Sequence, residues 1–407
     1  MKYYKNSELT LRYNVSDKTV RNWIAASSNK KLGLKLYEEN EKKYIADSVA
    51  NNYLLAQLAV TGKKYRNNRT HKILSPSQKF YDLYTTRQII EIANSLDKYH
   101  ELSWHYSYFG DAAKYWDKYL YELYNAGKGN LLTNTVETLH LNLPYIDAII
   151  GSYKYVNVVN ICIGNNLAVR EVLGHIRKSG KLKRFIMMDI SPDVLDISEQ
   201  NTKKWFKDTS FIVEKHLIDI RHETFGHILA QDSFGADSSK TANLIFFVAG
   251  PIVNFRDPGH TFKTLHDSMG KSDFLFISHK RDTDQSRGFF DFNIKSDATL
   301  LSFRHKMLPD LLNIKESFYE AEQAYDENRK LRYIQIRLKV GFSLEFKVEK
   351  FKKTVELQKG DTIRLWWSRQ YSDQESVNLL NEAGYSVLQA VQSVDRELFL
   401  TISKLKP

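Results

Sequence analysis

The sequence predicts an α/β protein: a doubly wound, largely parallel sheet, a β-rich C-terminal segment, and a small basic helical module ahead of both. Three observations predict it. From about Tyr155 apolar runs alternate with amphipathic stretches, the pattern of repeated βα units. Residues 331–403 read instead as closely spaced strands with one helix among them. Residues 1–75 hold eleven Lys and four Arg against six acids, a charge of +9, so the other 332 residues carry only +2 of the chain's formal +11. The 407 residues suffice for two or three domains, and 42% hydrophobic with 26% charged residues excludes an intrinsically disordered chain. Cys162 is the only cysteine, which excludes a disulfide framework and a cysteine-rich zinc site and suits a reducing compartment. The longest apolar run, Ala242 to Val253, is shorter than the roughly 20 residues a bilayer span needs, and no secretory pattern opens the chain. A soluble cytoplasmic protein with no membrane contact is the expectation.

In the basic module, Ser7 to Ile24 reads as two short helices and a tight turn, capped by Ser7 and Ser16. Leu9, Val15, Val20, Trp23 and Ile24 form its expected core. Lys18, Thr19, Arg21 and Asn22 then lie at the start of the second helix, and those residue types suit phosphates and base edges in a major groove. Leu34–Tyr37 and Lys43–Ile45 read as a hairpin, with Lys43 on it as a further DNA contact. A helix over Asp47–Val60 and a basic linker follow. This segment resembles the winged helix-turn-helix modules of MerR-like and excisionase-like proteins, which implies double-stranded DNA as a partner for residues 1–75 and the dimeric state that half-site recognition favours.

The expected organisation is a winged helix-turn-helix over 1–62, a linker over 63–76, a helical part over 77–150, an α/β core over 151–300 and an α+β domain over 301–407. In the core, Tyr155–Ile163, Arg184–Ile190, Phe211–Ile220, Ala242–Ala249 and Asp273–Ser278 read as strands. Leu167–Lys178 and Pro192–Phe206 read as helices between them. Ligands on such sheets sit at the carboxyl ends of the strands. Gly164 follows the first strand, where backbone can approach a ligand closely. Asp189 ends the second, placed to accept from a ribose diol, and Asp219 ends the third, placed to accept an amino group of adenine. The aromatic stretch Tyr81–Tyr124 is expected as packed core. His216, His222 and His227 miss the i,i+4 register and are expected on the surface, with no metal.

Met188–Leu195 resembles the second-strand signature of the histidine Nα-methyltransferases of ergothioneine biosynthesis, and Phe246–Asn254 is similar to their fourth-strand motif. Residues 331–403 match the layout of their C-terminal substrate-binding domain, with Tyr385–Val391 and Glu397–Ser403 as its last strands. The resemblance implies a class I S-adenosylmethionine (SAM) methyltransferase fold and SAM as cofactor. It implies cofactor contacts at Gly164, Arg170, Asp189, Asp219, Ile220 and Gly250. Asn254 is the implied catalytic residue that orients the substrate, and Trp366 and Ser368 are implied substrate contacts. Methyl transfer from sulfonium to amine rests on alignment and electrostatics, so no nucleophilic Ser or Cys is sought.

The departures bear on the substrate. Cys162 stands two positions before Gly164 where the family has an acid, Asn166 and Ala168 replace later glycines, and Leu131–Asn134 replace a Tyr-Tyr-Pro-Thr stretch. Trp366 stands where a carboxylate pairs with imidazole, while Ser368 is kept. A site built to pair an imidazole N–H loses that partner, so the expected acceptor is an amine of a small molecule or peptide other than free histidine. The alternative is a DNA-binding transcription regulator whose methyltransferase-like body senses a ligand or is inactive.

Overall fold

The computed structural model describes residues 3–13, 15–29, 32–67, 72–127, 129–207, 210–232, 240–288 and 301–407. It divides into two compact units, residues 1–73 with 341–343 and 356–358, and the remainder.

The larger unit is built on a seven-stranded sheet. Its strands are β1 (Tyr155–Ile161), β2 (Leu182–Asp189), β3 (Ile212–Leu217), β4 (Thr241–Phe247), β5 (Phe274–Lys280), β6 (Tyr385–Gln392) and β7 (Leu398–Leu405). Their spatial order is 3-2-1-4-5-7-6. β1 to β5 pair in parallel, whereas β7 runs antiparallel to both β5 and β6. The central strands are buried on both faces, so they read as continuous apolar runs without alternation. β3 is an edge strand and shows it, with Ile212 and Leu217 exposed.

Helices cover the sheet by burying one stripe each. Arg170–Lys178 buries Val172, Leu173 and Ile176. Pro192–Trp205 starts where Ser191 Oγ accepts from Val194 N–H and Pro192 sits in the first turn, where a missing N–H costs nothing. Thr86–Tyr99 opens with a reciprocal capping box between Thr85 and Gln88. The sheet order reverses between β1 and β4, which opens a crevice at their carboxyl ends.

The expected division at residue 301 differs from this topology. Tyr385–Val391 and Glu397–Ser403 were expected as strands of a separate C-terminal domain, but the last hairpin forms β6 and β7 of the central sheet. Alternation tells which face a strand buries and nothing about its partner, so the non-local β5–β7 ladder leaves no local mark. Between β5 and β6 lies an insertion. Helix Phe303–Leu311 is followed by an antiparallel sheet of Tyr319–Asp326, Leu331–Leu338 and Thr362–Arg369. Helix Asp373–Glu382, capped by Ser372, then leads back to the main sheet.

In the smaller unit, helices Asn6–Tyr13 and Asp17–Ser28 and a hairpin of Leu36–Glu39 with Lys42–Ala46 lie where the spacing predicts them. Leu9, Val20, Trp23, Ile45 and Leu55 are buried together, each contributing about 1.5–3 kcal/mol on the usual scale for a buried large side chain. Ser16 caps the second helix by accepting from Thr19 N–H. Ser7 lies inside the first helix, which begins one residue earlier at Asn6. The third helix, Val49–Asn67, runs past the expected stop at residue 60; within the extension Lys63, Lys64 and Arg66 are good helix formers, whereas Thr61 and Gly62 are not.

Candidate functional site

The carboxyl ends of β1 to β4 open into a cavity of about 950 Å³, within the range of small-molecule and cofactor sites. The loop leaving β1 turns sharply: Cys162 has φ of 54° and Gly164 of 57°. A β-carbon on Gly164 would lie 3.1 Å from Leu120 Cδ1 and 3.7 Å from Trp116 Nε1. Gly164 is thus required by packing against helix Asp111–Asn125 as well as by backbone conformation. Gly250, after β4, repeats the logic with φ of 88° and Leu131 Cδ2 at 2.9 Å from its missing β-carbon. Burial, with Asp189 and Asp219 nearby, pushes the Cys162 thiol up, so it is a protonated and inert group.

Asp189 ends β2 on the cavity wall. Its Oδ2 accepts from Ile163 N–H at 3.1 Å and its Oδ1 from Ser191 N–H at 2.9 Å. These two bonds fix the carboxylate between the β1 and β2 loops. Burial nevertheless outweighs them and raises its pKa to about 6.

Asp219 and Ile220 line the same cavity beyond β3. The Asp219 carboxylate already carries a partner within the protein. Arg221 donates to it through Nε at 2.9 Å and Nη2 at 2.7 Å, and the same guanidinium bonds Glu91 through Nη1. Tyr106 Oη donates to Glu91 at 2.9 Å. Burial opposes ionisation of both acids, but Arg221, with His105 for Glu91, outweighs it and holds them below the usual carboxylate range. His105, buried beside them, is pushed down to about 4 by burial and then by the Arg221 charge, so it is neutral near pH 7. Glu91, Asp219 and His222 bring ligand atoms within 4.8 Å of one another, and the cation among them is Arg221. Glu91, His105 and Arg221 carried no sequence signal, since Glu91 lies 130 residues from Arg221.

Gly250 and Asn254 line the cavity from the β4 loop, and Trp366 and Ser368 from strand Thr362–Arg369. Asn254 Nδ2 donates to the Trp367 carbonyl, and its own carbonyl accepts from Trp104 Nε1 at 3.0 Å. The loop after β4 is therefore tied to the inserted sheet. Glu101 supplies a carboxylate nearby, held by Trp367 Nε1 at 3.1 Å and Arg256 Nη2 at 2.7 Å. The aromatic stretch is only partly the packed core expected. Tyr106 is fully buried, but Trp104, Tyr108, Trp116 and Tyr119 form cavity wall.

Arg170 is the clearest misplacement. Six residues after Gly164 it was expected at the cofactor, but Val169, Val172, Leu173 and Ile176 form the buried stripe of this stretch and leave Arg170 on the opposite face. Arg170 is exposed, lies outside the cavity lining, and stacks on Trp205 at 5.0 Å. β5 runs past the expected strand end at Ser278 to include His279 and Lys280, with His279 buried against Ser376 at 2.6 Å. In the smaller unit Lys18, Arg21, Asn22 and Lys43 are exposed and Thr19 is half-buried. Arg21 pairs with Asp17 one turn earlier at 2.6 Å.

The residues present fit SAM. Acceptors stand at the ends of β2 and β3, a positive-φ loop follows β1, and the volume is sufficient. No helix among the described residues is long and apolar enough to cross a membrane.

No curated protein matches the chain. Solved structures similar to it include a SAM-dependent methyltransferase from Clostridium acetobutylicum, at 10% identity and TM-score 0.33, covering 65% of this chain and 89% of that one. A SAM-dependent methyltransferase from Aquifex aeolicus gives 10%, 0.34, 65% and 89%. Magnesium protoporphyrin IX methyltransferase from Synechocystis, solved with bound S-adenosylhomocysteine (SAH), gives 8%, 0.34, 78% and 99%. Residues 136–404 match the model of one family over most of the chain. On that match, and with the strand-end cavity where a cofactor would sit, the chain belongs to the histidine-specific, SAM-dependent methyltransferase family.

Proposed function

We propose that the chain is a SAM-dependent N-methyltransferase acting on an amine of a small molecule or peptide other than free histidine. We further propose that residues 1–75 are a winged helix-turn-helix module that binds double-stranded DNA through Lys18, Thr19, Arg21, Asn22 and Lys43. The observation that carries the acceptor reading is the indole of Trp366 in the cavity wall beside Ser368. The nearby Glu101 does not replace the missing acid, because Trp367 and Arg256 engage its two oxygens. An imidazole would be left without a strong acceptor, which costs discrimination of several orders of magnitude at sites built on such a bond.

When bound, SAM supplies an electrophilic methyl group on a sulfonium. The chain's own residues orient and exclude water. Asp189 would hold the ribose, and Asp219 with Ile220 the adenine, with Arg221 fixing the Asp219 carboxylate. Gly164 and Gly250 would line the cofactor backbone. Asn254, bonded to the Trp367 carbonyl, fixes the wall against which an acceptor amine must lie.

Mass spectrometry after incubation with SAM tests the acceptor: histidine should stay unmodified. Rapid appearance of Nα-methylated histidine would overturn this reading. The second reading, a DNA-binding regulator whose body senses a ligand or is inactive, is favoured by the two hydrogen bonds that Arg221 donates to Asp219, which compete with an adenine amine. It predicts DNA affinity that changes with SAM or SAH while no acceptor is consumed.

A further inference from the structure

The cation that engages Asp219 is shared with a second acid. Arg221 stands in the turn after β3, and the His222 and Glu223 N–H groups fix that turn by donating to the Asp219 carbonyl at 2.9 Å. His260 Nε2 lies 3.0 Å from the Arg221 carbonyl and holds it from helix Pro258–Ser268. From this turn the guanidinium meets Asp219 along one edge, through Nε and Nη2. Along the other it meets Glu91, through Nη1 and, at 3.3 Å, Nη2. Tyr106, fully buried, closes the group: its Oη donates to Glu91 Oε2 at 2.9 Å, and its ring centre lies 5.6 Å from the guanidinium carbon.

Two anions thus flank one cation on the cavity wall. Near pH 7 both carboxylates are ionised and His105 beside them is neutral. Asp219, Glu91 and Arg221 together therefore carry one positive and two negative charges, a net −1. Without Glu91 the sum would be zero, and the whole guanidinium charge would fall on Asp219. A carboxylate neutralised by a close cation attracts a further donor weakly, whereas an excess negative charge in a partly buried site attracts it strongly and repels an oxygen.

An adenine amine is an N–H donor, while a 6-oxo purine would turn an oxygen to the same wall. We infer that Glu91, oriented by Tyr106, is a positioning residue that sets the site's preference for a 6-amino purine: by taking one edge of Arg221, it leaves Asp219 the charge with which to accept the adenine amine. The inference rests on the reading of Asp219 as the adenine contact.

The test is calorimetric titration of the full-length protein with SAH and with S-inosylhomocysteine, in which an oxo group replaces the adenine amine. Wild type should prefer SAH. Glu91→Gln keeps the shape and removes the charge. It is expected to lose roughly tenfold or more in SAH affinity, the scale of a hydrogen bond to a charged group, and to bind the inosyl ligand as wild type does. Tyr106→Phe should show a smaller loss of the same selectivity, and Glu91→Asp should keep part of the wild-type preference. Loss by the same factor on both ligands would make Glu91 a structural residue and overturns the inference, as does an unchanged SAH affinity. If Glu91→Gln does not fold, the Phe and Asp variants decide by the same ratio. A wild type that binds both ligands alike would instead remove the adenine contact of Asp219, and one that binds neither would remove the cofactor site; the inference falls with either.

Discussion

Asp189 is held by the Ile163 and Ser191 N–H groups in a site dry enough to raise its pKa to about 6, so its charge is a variable near neutral pH. Ribose hydroxyls donate to the ionised form and therefore favour it. SAH affinity should rise with pH up to about 6 and level off above it, and Asp189→Asn should flatten that profile. Titrations at pH 5 and pH 8 check this, and equal wild-type affinity at both would contradict it. Stability runs the other way: a carboxyl with a raised folded pKa contributes stability below the unfolded value that is lost as pH rises through about 6. Asp189 was legible because a strand-end acid is a local feature, one run of apolar residues followed by a carboxylate. Arg221 and Glu91 were not, since they reach the cavity from elements 130 residues apart in sequence. Arg170 misled because counting residues from Gly164 ignores the helix face: the stripe of Val169, Val172, Leu173 and Ile176 is buried and turns Arg170 to solvent.

At the scale of elements, the β4 loop and helix Leu131–Leu141 meet at Gly250 and Leu131. Gly250→Ala would need a positive φ for an alanine and would drive its β-carbon to 2.9 Å from Leu131 Cδ2. A loss of about 1–2 kcal/mol is expected, chiefly from holding an alanine at positive φ, with a smaller steric part because the tip of Leu131 can give, read as a shift in urea midpoint at constant slope. Leu131→Ala in the same chain should restore the steric part of that loss, while the strain from φ persists. A single variant as stable as wild type would contradict the contact. Strands β1, β2, β4 and β5 were readable because buried parallel strands are largely apolar runs between helices. The placement of β6 and β7 was not, because β7 pairs with β5 across 118 to 128 residues and such a partner leaves no mark on either strand. The long third helix of the smaller unit was hidden by its own charge: lysine and arginine read as linker, though both are good helix formers.

For the whole molecule, the charge asymmetry is the property that predicts behaviour in solution. The +9 of residues 1–75 sits with exposed Lys18, Arg21 and Asn22 on one short helix. Full-length protein should bind duplex DNA with an affinity that falls steeply between low and physiological salt, and protein starting near Ser75 should lose that binding. Anisotropy titrations at two salt concentrations check this, and equal binding by both chains would move the DNA contact off the module. The body, by contrast, is near neutral, and its central property is one cofactor cavity at the ends of β1 to β4. Titration of full-length wild type and Asp189→Ala with SAH in a calorimeter tests that claim most directly. The account predicts saturable one-site binding that Asp189→Ala weakens by about 1–3 kcal/mol, the scale of a hydrogen bond to a charged acceptor. Absence of heat at millimolar SAH, or binding that Asp189→Ala leaves intact, would contradict it.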